Sequence, residues 1–165
     1  MDELLDLVDL NDQVIEQKFR SEVYAQKLNN FRVVNLFLIN EQGQLWIPRR
    51  TAHKKLFPLS LDTSMGGHVS AGENYEQALR RELQEELRIE LAQVTCQMIG
   101  KLNPQKHGTS AFMQVYLIRT NNTPDYNQND FCESFWLTPN QLLNWIDQGE
   151  PCKGDLPIIV RQLFS

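Results

Sequence analysis

Three carboxylates stand at i, i+3 and i+4 in the stretch Arg81-Glu82-Leu83-Gln84-Glu85-Glu86-Leu87. On a helix, side chains at that spacing point the same way. Residues 74–87 carry helix signals: Asn74 can cap the N-terminus, and Gln77 stands where a capping box needs it. On a wheel turning about 100° per residue, Tyr75, Ala78, Leu79, Leu83 and Leu87 share one arc. Glu76, Gln77, Arg80, Arg81, Gln84 and Arg88 take the other, while Glu82, Glu85 and Glu86 fall among or beside the apolar residues. Carboxylates clustered near a core repel one another and lose solvation. A hard divalent cation offsets both, and Mg²⁺ prefers oxygen ligands. Salt bridges to Arg81, Lys54 or Lys55 are the plainer alternative for the same glutamates.

Such a cluster needs a fold to hold it, and 165 residues with 41% hydrophobic and 22% charged content can build one. Residues 1–18 read as a hairpin and 21–27 as one or two helical turns. The run Phe31 to Ile39 reads as a buried strand, and Gln44 to Pro48 pairs back on it. A loop over 49–64 carries Arg49, Arg50, His53, Lys54 and Lys55, and a short strand follows around Gly66-Gly67. Strands are expected at 91–102, 111–120 and 133–137, and helices at 139–147 and 157–164, each opened by a proline. Interleaved strands, helices and hairpins imply an α/β fold with a mixed sheet. The expectation is one domain over 1–165, with 1–30 as an N-terminal hairpin and short-helix extension.

The remaining composition narrows the partners. Net charge is −5, so no nucleic-acid partner is expected. No apolar run approaches the ~20 residues of a membrane span, and the start Met1-Asp2-Glu3 is acidic, so a cytoplasmic protein is expected. Cys96, Cys132 and Cys152 are scattered and imply neither a zinc site nor a disulfide framework. Trp46, Phe57, Phe112, Tyr116 and Trp136 read as stacking residues or as core.

Around the acid cluster, Gly67, five residues, Glu73, seven residues, then Arg81-Glu82-Leu83-Gln84-Glu85-Glu86-Leu87-Arg88-Ile89 resembles the Nudix box. That pattern is G-x5-E-x7-R-E-U-x-E-E-x-G-U, with U a bulky aliphatic residue. Every defined position matches except Arg88, which stands where the family has a helix-ending glycine. The resemblance implies an α/β/α sandwich with a mixed sheet. It implies Mg²⁺ or Mn²⁺ held by Glu82, Glu85 and Glu86, and a brace between Glu73 and Arg81. Gly66 and Gly67 would let the backbone pass close to metal and phosphates. The implied activity is hydrolysis of a diphosphate linkage in a small molecule such as a nucleoside diphosphate derivative. A bound cation would neutralise the phosphates and make water acidic enough to attack. Glu85, Glu86 or Glu133 could take the proton.

The segment Arg49-Arg50, Lys54-Lys55, Phe57-Pro58 and Gly67-His68 is further similar to the isopentenyl-diphosphate-isomerase-like branch of the family. That likeness assigns the diphosphate to Arg50 and Lys54, with Lys55 beside them. Isomerase chemistry is the runner-up reading, but the isomerase's cysteine is replaced here by Gly66, and of its metal histidines only His68 matches. A non-catalytic nucleotide-binding module is the third. A homodimer stays open, because residues 1–30 could pack on their own domain or on a second copy.

Overall fold

The computed structural model describes residues 1–165. Its hub is β3 (Arg32–Ile39). The sequence Arg-Val-Val-Asn-Leu-Phe-Leu-Ile is apolar on both faces, as a strand covered from both sides must be. Val34, Leu36 and Leu38 face one layer, and Phe37 faces the other, with Val33 and Ile39 packed on that second core.

One edge of β3 pairs in parallel with β7 (Phe112–Arg119), which pairs antiparallel with β6 (Cys96–Leu102). The other edge is divided. Its N-terminal half pairs with the short β5 (Met65–His68), and its last residue, Ile39, pairs with Leu45 at the start of β4 (Leu45–Arg50). From there β4 leaves β3 and runs antiparallel to β8 (Phe131–Leu137). Ser64 fills the fork: its hydroxyl accepts from Leu38 N–H at 2.9 Å and donates to the Trp46 carbonyl at 2.6 Å.

Helix α2 (Tyr75–Glu82) covers the first face through Ala78 and Leu79. Helices α4 (Pro139–Asp147) and α5 (Asp155–Phe164) cover the second through Leu142, Leu156, Ile159 and Val160. The expected α/β/α sandwich with a mixed sheet is therefore what the chain forms. A separate sheet, β1 (Leu4–Val8) with β2 (Val14–Phe19), and helix α1 (Arg20–Ala25) bury Leu5, Leu7 and Val23 against Phe31 and Ala111. No helix is long and apolar enough to cross a membrane.

Four local expectations change. Arg49 and Arg50 belong to β4 rather than to a loop. Residues 91–93 form a 3-10 turn, and β6 starts only at Cys96. Helix α5 begins at Asp155, so Pro157 sits inside its first turn, where a missing N–H costs nothing. Residues 104–107 form an unexpected short helix, α3 (Pro104–His107), capped by Asn103.

Candidate functional site

The acid-bearing helix does not run uniformly to Leu87. Helix α2 ends at Glu82, and Leu83–Leu87 form a wider π turn. More residues per turn rotate Glu85 away from the line of Glu82 and Glu86. Glu82 and Glu86 line a cleft of about 590 Å³, whereas Glu85 is outside it, with 59% of its side chain exposed and 3.7 Å from Arg81. No three acidic, histidine or cysteine groups converge closely enough to hold a metal ion. The cluster that the wheel drew as three is two plus one.

The preceding strand explains how the pair is positioned. A side chain at Gly67 would overlap the Glu82 carboxyl, so glycine there lets β5 lie against the acid without displacing it. One residue back, Gly66 N–H donates to Glu86 at 3.0 Å. Arg81 forks onto both oxygens of Glu73 at 2.8 and 2.9 Å, donates to Glu82 at 2.7 Å, and reaches the His68 carbonyl at 3.1 Å. Glu73 in turn accepts from Ser70 N–H at 2.8 Å. One guanidinium thus ties strand, loop and helix together.

The electrostatics of the two acids are unusual. Burial pushes the Glu82 carboxyl up to about 7, although Arg81 beside it pulls the other way. Burial, then the nearby Glu82 and Asp62 charges, push Glu86 well above the ordinary carboxylate range. Two desolvated carboxylates, of which only Glu82 has a cation bonded to it, are short of positive charge. Hard oxygen donors of this kind fit a divalent cation, held by Glu82 and Glu86; Glu85 would join only through a different rotamer.

The other expected residues are spread more widely. Arg50 lines the cleft but donates to Asp62 at 3.0 Å and to the Leu56 carbonyl at 3.0 and 3.2 Å. Lys54 also lines it and is paired with Asp130 at 2.7 Å. Lys55 is exposed and does not line the cleft. Glu133 sits opposite Arg49 in the β4–β8 ladder, bonds it at 2.5 Å and stays outside the cleft. His68 is bonded to side chains of the N-terminal extension, 2.7 Å from Tyr24 and 3.3 Å from Glu3. Phe57 is 44% exposed at the cleft, while Trp46 is wholly buried.

Asp62 and Asp130 were not singled out by the sequence. Each is a lone acid in a loop, and only the folded sheet brings them to the same cleft. None of the three cysteines lines it. A second cavity of about 510 Å³, around Ile89, Val94 and Ile118, contains no acidic residue.

The NUDIX domain pattern matches residues 29–156. An uncharacterized Nudix hydrolase of Nostoc sp. is 58% identical over 99% of this chain and 96% of its own length. A Nudix hydrolase of Deinococcus radiodurans is 47% identical over 99% of this chain and 95% of its own. A crystal structure from Deinococcus radiodurans superposes with a TM-score of 0.93 at 45% identity, over 99% of this chain and 100% of that one. The MutT protein of Methanosarcina mazei shares the fold, with a TM-score of 0.63 at 17% identity.

Proposed function

This chain belongs to the Nudix family of hydrolases, which act on pyrophosphate bonds, and from that premise we propose that it cleaves a small-molecule diphosphate with a divalent cation held by Glu82 and Glu86. The observation that carries the reading is the pair itself: two half-buried carboxyls close together on one helical stretch, both lining one cleft, with Arg81 as the cation bonded to one of them.

When bound, Mg²⁺ or Mn²⁺ would supply charge neutralisation and polarise the phosphoryl oxygens. The chain's residues do the rest. Arg81 holds Glu82 in place through its 2.7 Å ion pair. Gly66 N–H fixes the orientation of Glu86. Water attacks one phosphorus, a new P–O bond forms, and the bridging P–O bond breaks. The water's proton passes to a glutamate carboxylate; of Glu85, Glu86 and Glu133 only Glu86 lines the cleft, and Glu85 would serve by turning into it. Arg50 and Lys54 stand at the cleft wall, where their ion pairs with Asp62 and Asp130 set the charge that phosphate meets.

The likeness of the Arg49–Phe57 segment to the isomerase-like branch belongs to this reading as a matter of descent, not of chemistry. Isomerisation needs a proton donor at carbon. Gly66 has no side chain, and no cysteine lines the cleft. The test is a panel of diphosphate compounds, isopentenyl diphosphate included, incubated with Mg²⁺ or Mn²⁺. Phosphate or nucleotide release supports hydrolysis. An allylic isomer, or tight nucleotide binding with no release from any compound, would overturn it.

A further inference from the structure

The cations around the cleft are not equivalent. Arg50 and Lys54 are already engaged by Asp62 and Asp130. Arg20, Lys27 and Lys153 also line the cleft and take part in none of the protein's ion pairs. Two of these three, Arg20 and Lys27, come from residues that lie outside the NUDIX match at 29–156.

The N-terminal unit that carries them is firmly attached to the loop in front of α2. Glu3 reaches His68 at 3.3 Å and accepts from the Ser70 hydroxyl at 2.6 Å. Tyr24 meets His68 at 2.7 Å, Ala71 N–H donates to the Leu4 carbonyl at 2.9 Å, and Gly72 N–H donates to Asp6 at 2.9 Å. The cations themselves are placed. The Arg20 guanidinium lies over the Tyr24 ring, 5.3 Å from its centroid. Lys27 takes a left-handed backbone, φ 54°, and its N–H donates to the Tyr24 carbonyl at 3.1 Å. That conformation is disfavoured for a non-glycine residue, so lysine stands where glycine would fit more easily.

Strand β5 links the two. Gly67 lies against Glu82, and the next residue, His68, meets Tyr24 on α1. Arg20 and Lys27 line the same cleft as the acid pair.

A diphosphate carries more negative charge than one divalent cation neutralises. The surplus needs donors that are not already paired, and guanidinium and ammonium groups serve as such phosphate ligands. We propose that Arg20 and Lys27 bind the phosphoryl group farther from Glu82 and Glu86, so that the N-terminal unit is a substrate-binding wall of the site. This rests on the diphosphate reading above.

The test compares wild type with Arg20→Gln, Lys27→Gln, the double variant, and Lys18→Gln as a control on β2 that does not line the cleft. Steady-state hydrolysis of a turned-over diphosphate is measured with Mg²⁺, and binding of methylenediphosphonate with Mg²⁺ by calorimetry. Melting curves check that each variant is folded; if the double variant is not, the single variants decide. Each single variant is expected to raise KM and weaken methylenediphosphonate about tenfold, with kcat within about twofold, as loss of a charge-assisted bond predicts. Lys18→Gln should match wild type. Unchanged KM and binding in both single variants, or a fall in kcat alone, would overturn the proposal. If wild type releases no phosphate from any compound, the hydrolase reading fails instead. The binding measurements still decide the wall: weaker binding in the variants supports it, and equal binding refutes it.

Discussion

Glu82, Glu85 and Glu86 share a side-chain type and a short stretch of chain, yet their surroundings divide them. Glu86 is the extreme case. Its carboxyl is desolvated, faces Glu82 and Asp62, and receives one backbone N–H from Gly66 at 3.0 Å. Replacing it with glutamine removes the cost of burying a charge and keeps an oxygen for Gly66. In metal-free protein Glu86→Gln should therefore raise stability by about 1–3 kcal/mol, read as a higher melting temperature, while turnover with Mg²⁺ falls by about two orders of magnitude or more. Lower stability together with unchanged turnover would mean that Glu86 is an ordinary packed side chain. Much of this site was legible in the sequence, because the box residues lie within one short run and their spacing carries the information. Asp62 and Asp130 carry no such spacing. Their meeting depends on where β4 parts from β3, which no local pattern encodes.

At the scale of elements, the helix carrying the acids shows what periodicity conveys and what it misses. The 3.6-residue repeat correctly separated the buried Ala78, Leu79, Leu83 and Leu87 from the solvent face. It could not announce the π turn at Leu83–Leu87, whose widening moves Glu85 out. The helix then ends where the family pattern ends, and Arg88 adopts φ 54°, ψ 38°, the left-handed stop usually given to glycine. Its guanidinium contacts Asp125 at 3.0 Å, with both side chains mostly exposed, so that pair contributes little. Arg88→Gly should accordingly raise stability by up to about 1 kcal/mol, measured by urea denaturation, with kcat unchanged; a clear loss of stability would mean that the Asp125 contact outweighs the backbone strain.

The N-terminal hairpin was equally legible, being a strand, a turn and a strand in sequence. Its docking was not, because Glu3 and Tyr24 meet His68 across 65 and 44 residues, respectively. Hydrogen bonding from His68, opposed by burial and aided by Ser70, holds Glu3 down at about 2 against an ordinary 4.5. A depressed carboxyl stabilises the fold above its unfolded pKa and ceases to do so as pH falls through its folded one. Wild type should therefore melt above Glu3→Gln at pH 7, and the gap should close as pH drops from 4.5 toward 2. A gap independent of pH would point to packing rather than charge.

Over the whole molecule, the two faces of the sheet divide the labour. The layer under α2 supports the acid turn, and the layer under α4 and α5 supports the far face. Leu83 and Leu142 are both fully buried, one in each layer. Either leucine changed to alanine should cost about 2–5 kcal/mol of stability, seen by denaturant melting. Only Leu83→Ala should also lower kcat at a temperature where both variants remain folded, since Leu83 opens the turn that presents Glu86. Equal kcat in both variants would contradict that division. The continuous apolar run along β3 made its burial readable beforehand. The divided edge of β3, which opens the cleft, depends on long-range pairing and became visible only in the fold.

The central claim is that Glu82 and Glu86 form one divalent-cation site, and the most direct measurement is a Mn²⁺ titration followed by electron paramagnetic resonance on wild type, Glu82→Gln and Glu86→Gln. One saturable Mn²⁺ site is expected in the wild type, weakened at least about tenfold in each variant and competed by Mg²⁺. Equal Mn²⁺ affinity in all three proteins would contradict it.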